Sequence, residues 1–291
     1  MRRAEVARVA CVLLVAGWWP GVGARLAADL TSACISSPAS DLEGGGTLKS
    51  GWPPQTSTEL CKRCVKANSK SQHGEDRHVL PELWNASGHR PGTFVELGAF
   101  DGVRMSNTYL LEKCFGWNGV LVEASSANFA KLRRSGRAGS KCVHSAVCAG
   151  PPSTVRMAVA RDGGGMVAGQ LELMSRPFRK LHRHMFNGTE QVPCRSLTAI
   201  MAGAGYDRAT FLSLDVEGAE DRVLQAVDPR AFRLVLVEWA QWEEEKNERV
   251  HRRLASAGMR LQGQWQRGLI REGGRSRLYV APDSGVYPRD L

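Results

Sequence analysis

The chain is 291 residues long, enough for one large domain or two modest ones. Its 43% apolar and 23% charged residues exclude a wholly disordered, collagenous or small disulfide-stapled protein. The net charge of +10 favours acidic partners, but the basic residues are mostly Arg in a chain also rich in Gly and Ala, as GC-rich codons produce, and no zinc-finger spacing, RNA-recognition signature or basic heptad helix accompanies them, so no specific nucleic-acid partner is expected.

Met1-Arg2-Arg3 is a short positive start, Val9 to Trp19 is apolar throughout, and Pro20 ends the run. Val22-Gly23-Ala24 then offers a small-residue cleavage site. This three-part pattern predicts a signal peptide over residues 1–24, with an uncleaved signal-anchor or an organelle transit peptide as alternatives. No apolar run reaches the roughly 18 residues of a clear membrane span, so membrane contact is expected only through an uncleaved N-terminal segment. The sequons Asn85-Ala86-Ser87 and Asn187-Gly188-Thr189 fit a glycoprotein of the secretory route, in the lumen of the endoplasmic reticulum or Golgi, or secreted.

Of the eight cysteines, Cys11 leaves with a cleaved signal, and the odd remainder cannot pair completely. Cys61-x-x-Cys64 has no second such pair and no nearby His pair, which argues against zinc. A disulfide framework under the N-terminal arm and a Cys148–Cys194 bridge are expected, with buried thiols as the alternative.

Residues 25–69 read as a linker or stalk, rich in Gly, Ser, Thr, Pro and Ala. From residue 70 the pattern turns regular. Thr93 to Leu97 predicts a strand, Asn107 to Cys114 a helix, and Gly119 to Glu123 a second strand. Ser125 is placed to cap a helix running to about Arg134. Cys142 to Val147 and Val155 to Ala160 predict two more strands, and 161–190 has no clear order. Leu197 to Ala202 predicts a helix, Thr210 to Asp215 a strand, and Gly218 to Ala226 a helix. Phe232 to Glu238 predicts a strand, Glu243 to Ala257 a helix, and Met259 to Gln262 and Ser276 to Val280 the closing strands.

Strands alternating with helices predict an α/β domain over residues 70–291 with a doubly wound, mostly parallel sheet. Runs such as Gly119 to Val122 suit strands buried on both faces. Ligands of such sheets bind beyond the carboxyl ends of the strands. Glu96, Glu123, Asp215 and Glu238 all stand at strand ends, and four acids on one rim exceed what packing requires.

The turn Glu96-Leu97-Gly98-Ala99-Phe100-Asp101-Gly102 lets backbone approach a ligand, but Ala99 replaces the second glycine of a pyrophosphate-binding fingerprint. Glu123, 25 residues beyond Gly98, is placed to accept both hydroxyl protons of a ribose. Together they predict an adenosine-bearing ligand. No P-loop is present.

Ser71-Gln72-His73-Gly74-Glu75-Asp76, FVELGAFDG (94–102), SNT (106–108), GWNGVLVEAS (116–125), FLSLDVEGAE (211–220) and LVLVEW (234–239) occur in that order. The ordered set resembles the FkbM-type methyltransferases, class I enzymes that use S-adenosyl-L-methionine. The resemblance covers about residues 70–240. It implies a Rossmann-like, seven-stranded domain and the following roles. Glu96, Gly98, Ala99, Asp101 and Gly102 would cradle the methionine end of the cofactor. Glu123 would hold the ribose, with Ala124, Ser125 and Ala146 around the adenine. Gln72, Asp76 and Asn107 would lie near the same pocket, and Asp215 would face the transferring methyl group. The family similarity also implies O-methylation of a sugar or metabolite hydroxyl.

Such an acceptor must lose its proton as it attacks, and Asp215 is the candidate base, with His144 second. No metal is expected, although Asp215 and Glu238 are the alternative ligands for magnesium or manganese. Residues 161–190, dense in Arg176, Arg179, Lys180, His182, Arg183 and His184, read as an acceptor lid suited to an acidic glycan, or as a solvated helix. The chain also resembles the Star type of membrane protein, which implies the alternative of a non-catalytic protein in secretory trafficking. A nucleic-acid methyltransferase is disfavoured, because Asp215-Val216-Glu217-Gly218 stands where amino-directed enzymes of this class carry an Asn/Asp-Pro-Pro-Tyr/Phe motif.

Overall fold

The computed structural model describes residues 57–161, 165, 168–240, 243–262 and 276–283. The signal segment of 1–24 and most of the predicted linker lie outside them. The linker ends earlier than expected, because Ser57–Asn68 forms helix α1. Cys64 on α1 is disulfide-bonded to Cys114, and Val65 enters the main core, so α1 belongs to the domain. Among the described residues no helix is long and apolar enough to cross a membrane.

Two short helices follow, α2 (Glu75–His78) and α3 (Leu80–Ala86), with Pro81 in the first turn of α3, where its missing N–H costs nothing. The strands β1 (Thr93–Leu97), β2 (Asn118–Glu123) and β3 (Ser140–His144) are parallel, linked by α4 (Tyr109–Phe115) and α5 (Ser126–Leu132). Helix α4 starts two residues later than predicted. The reason is that Ser106, Asn107 and Thr108 all bond to the Glu96 carboxylate instead of entering the helix.

The predicted strand of Cys142 to Val147 is two elements. β3 ends at His144, and β4 (Ala146–Val147) joins a second sheet. That sheet has the order β4-β6-β5 and contains β5 (Ser153–Ala160) and β6 (Phe186–Arg195). Val155 to Ala160 is therefore a strand as predicted, but of the smaller sheet. β6 has no counterpart among the predicted elements, since its Gly188, Pro193 and polar residues carry no alternation, and it forms by pairing with β5. The expected Cys148–Cys194 disulfide joins this sheet's ends, and Cys142 is a free thiol. Helix α6 (Arg176–His182), capped by Ser175, crosses the same region.

The chain returns through α7 (Leu197–Gly203) to β7 (Ala209–Leu214), α8 (Glu220–Gln225), β8 (Phe232–Glu238), α9 (Glu244–Ser256), β9 (Arg260–Leu261) and β10 (Ser276–Val280). The main sheet has seven strands in the order β3-β2-β1-β7-β8-β10-β9, with β10 antiparallel to both its neighbours. It is a doubly wound, mostly parallel sheet of the Rossmann-like methyltransferase type.

Period-two alternation sends successive strand residues to opposite faces. Phe94, Leu121, Phe211 and Leu234 pack beneath α1, α3 and α4 with Trp84 and Phe115. Val95, Val122, Leu212 and Val235 pack with Ile200, Leu224 and Leu254 on the other face. Strand order reverses at β1, which lies between β2 and β7. The ends of β1 and β7 therefore open the ligand crevice of such a sheet.

Candidate functional site

A cavity of about 240 Å³ occupies that crevice. Its floor is Gly98-Ala99 after β1, Glu123-Ala124 after β2, Ala146 of β4, and Asp215 after β7. Gly98 has φ 75°, and a Cβ on it would stand 1.8 Å from the Asp215 carbonyl oxygen. Only glycine lets the two strand ends approach this closely.

Glu123 is buried at the end of β2. Its Oε2 accepts from the Phe100 N–H at 2.8 Å and its Oε1 from the Ser125 N–H at 2.8 Å. Burial pushes its carboxyl up to about 7, against the opposing pull of those two N–H groups. A carboxylate has about four acceptor positions, so each oxygen keeps capacity for a further donor. Asn107 donates through Nδ2 to Ser213 Oγ at 3.0 Å, and its buried Oδ1 has no partner. Asn128 is similar: Nδ2 donates to the Gly165 carbonyl at 3.2 Å and Oδ1 is buried and unpartnered. Both residues line the cavity. Unsatisfied buried acceptors are costly, and a ligand with donors satisfies them.

The far end is acidic. Asp215 opens onto the cavity, so its oxygens reach cavity solvent although protein surrounds the group. Burial, then the nearby Glu220, pushes its carboxyl up to about 6. Burial, then Asp215, pushes Glu238 well above the usual carboxylate range. Each carboxyl holds the other's ionisation back, so the pair resists carrying two negative charges. Asp215, Glu220 and Glu238 bring ligand oxygens within 4.8 Å of one another. Oxygens so grouped suit a hard cation, but Lys246 Nζ already stands 2.6 Å from Glu220 and also contacts Glu243. Burial works against the Lys246 charge; Glu220 and Glu243 outweigh it and raise its pKa.

A methyltransferase FkbM domain model matches residues 96–261. The chain belongs to the FkbM methyltransferase family. No curated protein matches the sequence. Among solved structures, this chain is similar to FkbM from Methylobacillus flagellatus KT at 12% identity and TM-score 0.38, over 76% of this chain and 60% of that one. The match thus spans under two thirds of the bacterial chain. A candidate RNA methyltransferase from Pyrococcus horikoshii is similar at 12% identity and TM-score 0.37, over 77% of this chain and 97% of the other.

In this FkbM domain the residues expected around the cofactor divide in two. Gln72, Glu96, Gly98, Ala99, Asn107, Glu123, Ala124, Ala146 and the candidate base Asp215 line the cavity. Asp76, Asp101, Gly102 and Ser125 do not, and each has a local task. Asp76 accepts from Ser69 Oγ, Lys70 N, and Ser71 Oγ at 2.7–2.9 Å, shaping the loop that presents Gln72. Asp101 staples its own turn through Val103 N and Arg104, whose bonds outweigh burial and lower its pKa. Gly102 lies against Leu132 and Ser135. Ser125 caps α5.

Glu96 borders the cavity, but its carboxylate is bound by Ser106, Asn107 and Thr108 at 2.6–2.8 Å, with the buried Arg137 3.9 Å away. It holds the wall rather than offering a free oxygen. His144 lies outside the cavity lining, stacked on Phe129 at 4.9 Å with Nε2 3.0 Å from the Ala124 carbonyl, so it is no acceptor base. The sequence reading missed Asn128 and Lys246. Asn128 carried one signal, its place three residues after the cap Ser125; Lys246 carried none, since one lysine in a charged helix reads as solvated.

Proposed function

We propose that this methyltransferase uses S-adenosyl-L-methionine to O-methylate a hydroxyl of a carbohydrate-like or metabolite acceptor. The observation that carries the reading is Glu123: a buried carboxylate at a strand end, anchored by two backbone N–H groups, in the crevice where sheet order reverses. It suits the vicinal hydroxyls of a ribose. Ala124 and Ala146 leave a flat apolar slot for the adenine beside it. Gly98-Ala99, Gln72 and the free Oδ1 of Asn107 suit the methionine end, with Asn107 receiving the α-ammonium.

When bound, the cofactor supplies an activated methyl group on a sulfonium. The chain orients the acceptor and takes its proton. Asp215, raised only to about 6 while Glu238 is pushed higher, is the acid of the pair suited to serve as base near neutral pH. It accepts the acceptor hydroxyl's hydrogen and complements the cationic end of the cofactor.

The disulfides Cys64–Cys114 and Cys148–Cys194 support an oxidising, secretory address, and Asn187 of the second sequon is exposed. The deciding experiment is calorimetric titration of S-adenosylhomocysteine into the oxidised full chain, beside Glu123→Ala. Micromolar binding abolished by Glu123→Ala supports the cofactor site. No binding to folded protein overturns it.

A further inference from the structure

His182 has no part in the site as described so far. It ends α6 and lines the cavity, as do Met157, Gln170 and Met185. Its Nδ1 lies 3.1 Å from the carbonyl of Phe178, one helical turn back. A carbonyl oxygen only accepts, so the neutral ring carries its proton on Nδ1 and leaves Nε2 with a free lone pair. The Phe178 ring packs against the imidazole with centroids 4.2 Å apart. Phe178 is itself buried with Ala158 and Met174 in the core of the smaller sheet. Tautomer and ring plane are both held, and Nε2 has no hydrogen-bond partner among the described residues.

The cavity wall is poor in cations. Arg176, Arg179, Lys180 and Arg183 do not line the cavity. Arg104 does, but Asp101 holds its Nε at 2.6 Å. Among the described residues, Arg104 is the one cation lining the cavity, and the acids Asp215, Glu217 and Glu238 line it too, so a carboxylated or sulfated acceptor is disfavoured, whereas Gln72, Gln170 and His182 offer hydrogen bonds to hydroxyls.

We propose that His182 selects the methyl acceptor: its Nε2 accepts a hydrogen bond from a second hydroxyl of a neutral polyol, beside the hydroxyl that Asp215 addresses. The proposal rests on the O-methylation reading above. A site built around such a bond rejects the analogue that lacks the hydroxyl, because the acceptor atom is then left dry and unpaired.

The test compares the full chain with His182→Asn and His182→Gln. Each is given S-adenosylmethionine labelled in its methyl group and a panel of neutral glycosides, their monodeoxy analogues and uronic acids; S-adenosylhomocysteine affinity is measured in parallel. The expected result is transfer to a neutral glycoside and poor transfer to the analogue lacking the neighbouring hydroxyl. His182→Asn should bind S-adenosylhomocysteine normally, raise the acceptor KM about tenfold, the worth of one hydrogen bond, and lose discrimination against the deoxy analogue. His182→Gln, whose longer amide reaches toward the Nε2 position, should recover part of both.

Unchanged KM and discrimination in His182→Asn would overturn the proposal. So would a parallel fall in S-adenosylhomocysteine affinity, which would make His182 a cofactor contact, or a preference for uronic acids. If the unaltered chain binds S-adenosylhomocysteine but methylates no glycoside, the carbohydrate reading itself fails and the proposal falls with it. If it binds no S-adenosylhomocysteine, the cofactor reading fails first.

Discussion

Gly98 and Asp215 meet backbone to backbone at the point where the sheet order reverses: φ of Gly98 is 75°, and a Cβ there would stand only 1.8 Å from the Asp215 carbonyl oxygen. Gly98→Ala must therefore push β1 and β7 apart while holding a left-handed backbone. A loss of about 3 kcal/mol or more in denaturant unfolding is expected. Gly150→Ala is the control: its φ is 101°, but nothing lies within 4 Å of the added carbon, and about 1 kcal/mol is expected.

Glu123 has a folded-state pKa of about 7, raised by burial from an ordinary 4.5. Between these values the folded state holds a proton that the unfolded state has lost. Stability therefore falls as pH rises from about 4.5 to about 7 and levels off above, by roughly 3 kcal/mol in all. Glu123→Gln should remove much of that decline. Ligand hydroxyls favour the ionised carboxylate, so affinity for S-adenosylhomocysteine should rise from about pH 6 to about pH 8 with proton release, readable by calorimetry in buffers of different ionisation enthalpy.

Glu96 and Glu123 should separate in mutagenesis. Glu96 is tied to three residues of the 106–108 segment and lies near Arg137, whose side chain is buried. Glu96→Ala leaves that guanidinium short of charge and is expected to cost about 3 kcal/mol or more of stability. Glu123→Ala should lose ligand binding with its unfolding midpoint nearly retained or raised at neutral pH. Equal midpoints for the two variants would contradict this division.

Lys246 joins α9 to α8 through Glu220. Lys246→Met strands the buried Glu220 beside Asp215 and Glu238. A loss of about 3 kcal/mol is expected, with a further rise in the pH at which Asp215 ionises, so methyl transfer should need more alkaline conditions than in the parent protein.

Alkylation of the native, unreduced protein should leave Cys64, Cys114, Cys148 and Cys194 unlabelled and label Cys142 slowly, because burial raises its thiol pKa. Replacing Cys148 and Cys194 by serine opens a link across 46 residues and should cost about 3 kcal/mol. Peptide mass mapping and thermal unfolding read the two outcomes.

Much of the frame was legible because its signals are local. The apolar runs of β2 and β8 mark strands buried on both faces, and a glycine after β1 marks a close approach. Glu123, Asp215 and Glu238 were legible as strand-end acids, since an acid that ends a buried strand sits on the ligand rim. The polar stretch Phe186–Arg195 was not legible as a strand, because its order comes from pairing with β5 rather than from its own pattern.

By itself, the sequence determined the strands and helices of the main sheet from β1 onward, where the glycine turn lies and which acids stand at strand ends; burial periodicity and turn chemistry act over a few residues. Only the tertiary structure decided which of those acids is free. Glu96 is consumed by Ser106, Asn107 and Thr108, while Glu123 keeps spare capacity. Only the tertiary structure brought Lys246 to Glu220 and His182 to the cavity. Such partnerships depend on strand order and on packing between segments far apart in the chain, and no local pattern encodes them.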